Sequence, residues 1–398
     1  MNLTLFNVDF GESIMISDSK GADNLLIDYG SEVDTNINYI NKSLNSIQKN
    51  NKKLQAMMTH FHDDHINGFI CLALNSDKLF SRVYIPNIFS TYSNYNVNDI
   101  TYVEIEILIF FLQNYKVGTG TLSLFELLRA IMGYNGELCI LQRGDEFEVG
   151  DMEYVTLWPN ISEIEFLKYS TINELNYFLS VLSSELEKEV DLRHEINEVA
   201  NELTRTFFQR CKFYNKKEYE SNVIELEEKL KKLKEYAIEL NKKNINKNRR
   251  DDLNKWIKRL KSNANKISIV FQSKNNIVES NILMTGDIDK YRLNWILNNK
   301  LCVKIPIHES FYIIKAPHHG TQSYFVSNLP KSKNILISNG ETNKVNRGRI
   351  SSSYLMYESR GALINCTNSH RARCDLLIKN KSCDGNCNMS INKKEFRF

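Results

Sequence analysis

Met58-Thr59-His60-Phe61-His62-Asp63-Asp64-His65 gathers three imidazoles and two carboxylates into its last six positions, in a chain with eight histidines among 398 residues. The apolar stretch Leu54–Thr59 in front of them predicts a β-strand, and the apolar pattern from Ile66 to Leu74 behind them predicts a helix. Alternate residues of an extended backbone point the same way, so His60 and His62 leave the strand end on one side. A sharp turn then carries Asp64 and His65 into the start of the helix. Imidazole nitrogens beside a carboxylate oxygen suit Zn²⁺, and also Mn²⁺ or Fe²⁺, and the set is large enough to hold two ions side by side. A histidine-rich surface loop is the bland alternative, and it would not draw three of the chain's eight histidines into six positions.

Two further apolar strands end in residues of the same chemistry. Ile282-Leu283-Met284-Thr285-Gly286-Asp287 closes on a carboxylate just past a glycine, and Ile313-Ile314-Lys315-Ala316-Pro317-His318-His319-Gly320 closes on two imidazoles. Alone, the first reads as a helix N-cap and the second as a polar surface pair. Together with the first stretch they predict one centre built from three strand ends. In it Asp287 can bridge two ions through its two oxygens, and His318 or His319 can fill a remaining ligand position.

The order HxHxDH, TGD, PHHG resembles the metallo-β-lactamase fold superfamily. It is most similar to the branch that holds the hydrolase domain of ComEC-type competence proteins and the phosphorylcholine-esterase-like hydrolases. Phe6-Asn7-Val8-Asp9-Phe10-Gly11-Glu12 resembles that branch's opening strand and turn, and Ile27-Asp28-Tyr29-Gly30 its second turn. The resemblance spans roughly residues 1–85, 138–160 and 263–340. It implies an α/β fold, an αββα sandwich with the site on one edge of the two sheets. It also implies two divalent ions, Zn²⁺ first and Mn²⁺ second. His60 and His62 would hold one ion, Asp64 and His65 the other, and Asp287 would bridge them. One of His318 and His319 would complete the set while its neighbour touches substrate. Asp64, Asp287, His318 and His319 are then the catalytic candidates. A water bridging two such ions is acid enough to supply hydroxide near neutral pH.

The chain departs from that pattern twice. Many superfamily members carry another histidine between the first motif and the bridging carboxylate, and here the one histidine in that interval is His194. Near residues 341–351, where relatives often have His-Pro, this chain has Arg347 and Arg349, whose guanidinium groups suit phosphate contacts.

Between Asn160 and Thr285 there is neither glycine nor proline. Val223, Leu226, Leu230, Leu233, Ala237 and Leu240 follow heptad spacing, and Leu175, Phe178, Leu182 and Leu186 form a second stripe. The expected organisation is therefore a first half of the α/β fold over 1–160, a long helical, coiled-coil-like insertion over 161–262, and a second half over 263–398. The seam must bury itself, on the second stripe of the same chain or on a second copy. Such an arm could also dock a protein partner or, through Lys242, Lys243, Lys247, Arg249 and Arg250, grip nucleic acid.

Composition sets the outer bounds. Hydrophobic residues at 42% and charged residues at 25% exclude a disordered tail and a fibrous protein. A net charge of +3 gives no global nucleic-acid footprint. No apolar run approaches the length of a membrane span, and Ile107–Leu112 is the longest candidate. The first residues alternate like a strand and carry Asp9 and Glu12, unlike a signal peptide, so a cytoplasmic protein without membrane contact is expected. Cys366, His370, Cys374, Cys383 and Cys387 fall within 22 residues and suggest a second, structural metal site, although the CxxC spacing common in such sites is absent. The functional expectation is a dinuclear metal-dependent phosphodiesterase or nuclease acting on DNA, RNA or a smaller phosphodiester. The alternatives are the effector subunit of a multi-protein complex, of a defence kind for example, and a thioester or lactone hydrolase.

Overall fold

The computed structural model describes residues 1–8, 10–31, 44, 53–75, 78–89, 100–118, 120–160, 164–212, 216–243, 247–277, 279–298, 306–339, 350–367 and 393–397. Arg347, Arg349, His370, Cys374, Cys383 and Cys387 lie outside these residues. Cys366 is described: it ends a strand and is buried.

The chain divides into two compact units. The first comprises Met1–Pro86, Ala130–Asn160 and Asn265–Phe398, and holds two mixed sheets of seven strands. One sheet contains β1 (Asn2–Phe6), β2 (Ile14–Ser17), β3 (Asp23–Ile27), β4 (Lys53–Met57), β5 (Phe80–Pro86), β6 (Met132–Leu141) and β14 (Lys393–Arg397), in the order β14-β1-β2-β3-β4-β5-β6. The other contains β7 (Glu146–Val149), β8 (Met152–Trp158), β9 (Val270–Ser273), β10 (Ile282–Met284), β11 (Ser310–Lys315), β12 (Lys331–Ile337) and β13 (Leu363–Cys366), in the order β13-β12-β11-β10-β9-β8-β7.

Each sheet has an antiparallel half and a parallel half. Strands β3 to β6 run parallel in the first, and β10 to β13 in the second. Leu3, Leu5, Ile14, Ile16, Leu25, Ile27, Met57 and Tyr84 of one sheet share a single buried core with Phe147, Tyr154, Phe271, Ile282, Met284, Ile313 and Leu336 of the other. The unit is thus an α/β sandwich in which two sheets close on one another. Each fully buried side chain of this size contributes about 1.5–3 kcal/mol. Helix α1 (Asp63–Leu74) links β4 to β5 and sets Phe69 against Phe80 and Tyr29.

The second unit comprises Asn87–Arg129 and Ile161–Ala264. Its helices are α2 (Tyr102–Val117), α3 (Leu124–Ile131), α4 (Tyr169–Ser184), α5 (Leu192–Lys212), α6 (Lys216–Lys242) and α7 (Lys247–Lys261). The helical unit therefore takes in residues 87–129, which the sequence reading placed with the first half of the sheets. The cause is α2. It is apolar on every side, with Ile105, Ile107, Leu108, Phe110, Phe111 and Leu112 all buried, and such a helix needs neighbours all round. It packs along α5, α6 and α7. The run Ile107–Leu112 is thus the centre of a helical bundle. Among the described residues no helix is long and apolar enough to cross a membrane. The heptad residues Val223, Leu226, Leu230, Leu233, Ala237 and Leu240 are all buried. Helix α6 lies along α2 and α5, while α4 packs on α5 and its Phe178 meets Trp256 of α7.

Candidate metal centre

The ligand candidates lie just beyond the C-terminal ends of parallel strands, where open α/β sheets place their sites. His60 and His62 follow β4, Asp64 and His65 open α1, Asp287 follows β10, and His318 and His319 follow β11. His60, His65, Asp287 and His319 are fully buried. The backbone is bent to bring them together. Asp28, His318 and His319 have φ of 53°, 44° and 56°, and among the described residues these are the non-glycine residues with positive φ. Each such conformation costs on the order of 1 kcal/mol or more, and strain of this kind collects at functional sites. Gly30 permits the closest approach, because a Cβ there would stand 2.2 Å from the Asp64 carbonyl. Gly286, at φ +50°, is equally confined, with the Ser268 hydroxyl 2.2 Å from where a Cβ would be.

Three imidazoles are held in the same tautomer. Asp28 accepts the Thr59 backbone N–H at Oδ1 (2.7 Å) and the Thr59 hydroxyl at Oδ2 (2.7 Å). His65 donates from Nδ1 to the same Oδ2 (2.8 Å). The Thr59 hydroxyl hydrogen is thereby spent on Asp28, so its oxygen accepts from His60 Nδ1 (3.1 Å). His319 donates from Nδ1 to the Ser338 carbonyl (2.8 Å). All three rings therefore turn Nε2 inward. Metal-binding histidines are oriented in this way, with the other ring nitrogen tied to a carboxylate or carbonyl.

Around those nitrogens stand two carboxylates. Asp287 Oδ2 is 3.2 Å from His65 Nε2, 3.4 Å from His319 Nε2 and 2.7 Å from His318 Nδ1. Asp64 Oδ2 is 3.1 Å from His319 Nε2 and 3.9 Å from His65 Nε2. Donors bound to one ion at about 2.0–2.1 Å in a tetrahedron stand roughly 3.3 Å apart. The spacing of Asp64, His65, Asp287 and His319 brackets that value. His65 Nε2 is buried without a hydrogen-bond partner, which is costly unless a cation or proton meets it. The donor set fits a divalent ion.

Electrostatics say the same. Burial opposes charge on His65, yet Asp287, Asp28 and Asp64 hold its pKa well above the usual value. Burial also opposes charge on His319, and Asp287 and Asp64 raise its pKa nonetheless. Burial disfavours the Asp287 anion, but His65, His319, Lys315 and His318 hold that carboxyl well below the usual range. The pocket calls for positive charge. His60 differs: burial and the neighbouring His65 and His62 push its pKa well down, so it stays a neutral donor. Its Nε2 faces His62 Nδ1 at 3.1 Å.

The two expected ion sites are therefore unequal. Asp64, His65 and His319 form one group of potential donors, Asp287 joins Glu12 and His65 in a second and His318 and His319 in a third, and His60 groups with Asp28 and His65. His194 does not join them. It is an exposed residue of α5 in the helical unit, its backbone N–H bonded to Asp191. The histidine pair also divides. His319 is buried with Nε2 toward Asp64, while the His318 side chain is 25% exposed and stacks on Tyr324 with ring centroids 3.9 Å apart.

The two oxygens of Asp287, expected to bridge two ions, have different neighbours. Oδ1 is held by Lys315 Nζ at 3.2 Å, and Oδ2 alone meets the imidazoles. The sequence reading also gave no role to Asp28, Glu12 or Lys315. The signal for Lys315 was present: a lysine closing the apolar strand Phe311–Ile314 must be paired if it is buried.

No family model matches the chain, and no curated protein matches it at a significant level.

Proposed function

We propose that the chain is a metal-dependent hydrolase of metallo-β-lactamase type, an αββα sandwich that cleaves phosphodiester bonds. One observation carries the reading: residues from three strand ends, Asp64 with His65, Asp287, and His319, form overlapping groups whose ligand atoms stand close enough to share an ion. Two nitrogens and two oxygens suit Zn²⁺ or Mn²⁺. Phosphodiesters are preferred over thioesters or lactones on the order of the three motifs, HxHxDH, TGD and PHHG.

Divalent ions held there acidify water and neutralise charge that develops on the substrate. The protein supplies position. Asp28 and the Ser338 carbonyl fix the two buried imidazoles, so no reorganisation is needed as the reaction proceeds. Asp64 is the carboxylate that opens toward solvent, at 19% exposure. Burial works against its charge, but His65 and His319 hold its carboxyl far below the usual range. It orients an attacking water through a hydrogen bond and does not keep the proton. His318, at the exposed rim and braced by Tyr324, is placed to meet a phosphate oxygen or the leaving group.

The test is metal analysis of the full chain as purified, followed by turnover of bis-p-nitrophenyl phosphate, single-stranded and duplex DNA, RNA and cyclic nucleotides. At least one tightly bound divalent ion and metal-dependent release of p-nitrophenol are expected. A chain that binds no divalent ion overturns the reading. Metal binding with turnover of thioesters or lactones alone overturns the phosphodiester assignment.

A further inference from the structure

Lys315 is completely buried at the end of β11, with 1% of its side chain exposed. A buried ammonium must spend its three donors inside the protein. Lys315 Nζ donates to the Gly286 carbonyl at 2.7 Å and to Asp287 Oδ1 at 3.2 Å, and forms an ion pair with Glu12 Oε2 at 2.5 Å. Glu12 is itself 1% exposed and comes from the turn between β1 and β2, so three separate segments of the first unit are tied at this ammonium.

The consequence falls on Asp287. A free carboxylate can chelate one ion through both oxygens or bridge two ions with one oxygen each. Here Oδ1 is taken, and Asp287 N–H is pinned to the Ser268 hydroxyl at 2.8 Å, which fixes the residue from its other side. We infer that Lys315, anchored by Glu12, is a positioning residue that withholds Oδ1 of Asp287 from the metal centre, so Asp287 serves it through Oδ2 alone. The inference rests on the metal-binding reading above. It narrows that reading to an ion that draws one oxygen, not two, from Asp287.

Cobalt(II) reports the difference, because its visible absorption is intense when four-coordinate and weak when a fifth donor joins. The experiment uses full-length protein loaded with one equivalent of Co²⁺, as wild type, Lys315→Met and Glu12→Gln. Wild type should show intense four-coordinate bands. Lys315→Met keeps the side-chain length and loses the hydrogen bond, so Oδ1 should reach the ion and the absorption per cobalt should fall severalfold. Glu12→Gln leaves Lys315 a neutral anchor and should shift the spectrum the same way by less. It also keeps the test decisive if Lys315→Met does not fold. A lysine that only braces the core would alter unfolding temperature and leave the cobalt spectrum unchanged. Spectra of the folded variants that superimpose on wild type overturn the inference and leave the metal reading standing. Wild-type protein that takes up no cobalt overturns both.

Discussion

The two units treat buried charge in opposite ways. In the sheet unit Glu12, Asp28 and Asp287 are buried within reach of Asp64, and Lys315 is the one lysine tied to them among the described residues. In the helical unit the acidic and basic residues answer one another at the surface. Lys229 reaches Glu225 at 3.1 Å and Lys232 reaches Glu195 at 2.8 Å, while Glu202, which is buried, is met by Arg205 at 2.8 Å and Lys229 at 3.7 Å. Its buried Glu104 is satisfied within the unit, by Arg193 at 2.8 Å and by the Thr101 backbone N–H at 2.7 Å. Gathering carboxylates inside a protein costs several kcal/mol per ion unless partners offset it. The helical unit avoids that cost and draws its stability from an apolar seam. The sheet unit retains it, offset by Lys315 and the buried imidazoles and, on the proposed function, by a bound cation.

Removing the cluster's donors should produce the largest effect. Asp64→Ala with His65→Ala deletes two of the four donor atoms. Tightly bound metal should disappear, and turnover should fall to background, while far-ultraviolet circular dichroism stays that of a folded protein. Stoichiometric metal in the double variant would break the contrast at its root.

The opposite manipulation sits in the seam. Leu230 is buried in the heptad series of α6. Leu230→Ala should destabilise by about 2–5 kcal/mol, the usual range for a leucine truncated in a packed interior. Denaturant titration measures it. Metal content at low denaturant should be unchanged, and loss of metal along with stability would show that the helical unit contributes to the centre after all.

These two units were legible in the sequence by different signals, and to different depths. The strand-end motifs gave His60, His62, Asp64, His65, Asp287, His318 and His319, since ligand residues at strand ends stand out against apolar runs. Periodicity gave α6, because a 3-4 spacing of apolar residues survives any context. What escaped has physical reasons. Helix α2 has no polar face, so its apolar run carried no period to say what surrounds it. Asp28, Glu12 and Ser338 act through hydrogen bonds across distant segments, and a lone Asp in a turn looks the same whether it caps a backbone or aims an imidazole. Which oxygen of Asp287 is available depends on Lys315, and pairing across strands cannot be read from spacing.

Asp28 tests one of those hidden roles. It aims His65 without itself being one of the proposed donors, so Asp28→Ala should weaken metal affinity by about 10–100-fold, the usual effect of losing a partner that orients a ligand. Competition with a chromogenic chelator measures this. Asp28→Asn still accepts a hydrogen bond from His65 Nδ1 and should recover part of the loss. Unchanged affinity in Asp28→Ala would mean that the His65 ring is held by packing alone.

The smallest effect is expected where charge is most plentiful. Lys232 pairs with Glu195 across α5 and α6, but its side chain is 49% exposed and that of Glu195 25%. Water solvates both partners well before folding, and fixing two long side chains in one geometry costs rotamer freedom. Lys232→Met should therefore change stability by less than about 1 kcal/mol, with metal content untouched, and added salt should reduce even that difference. Lys315→Met makes the same chemical change at a site where neither the lysine nor its carboxylates reach water. If the two substitutions altered unfolding free energy equally, burial would not be what separates the charges of the sheet unit from those of the helices, and the cluster around Asp287 would need another explanation than the binding of a cation.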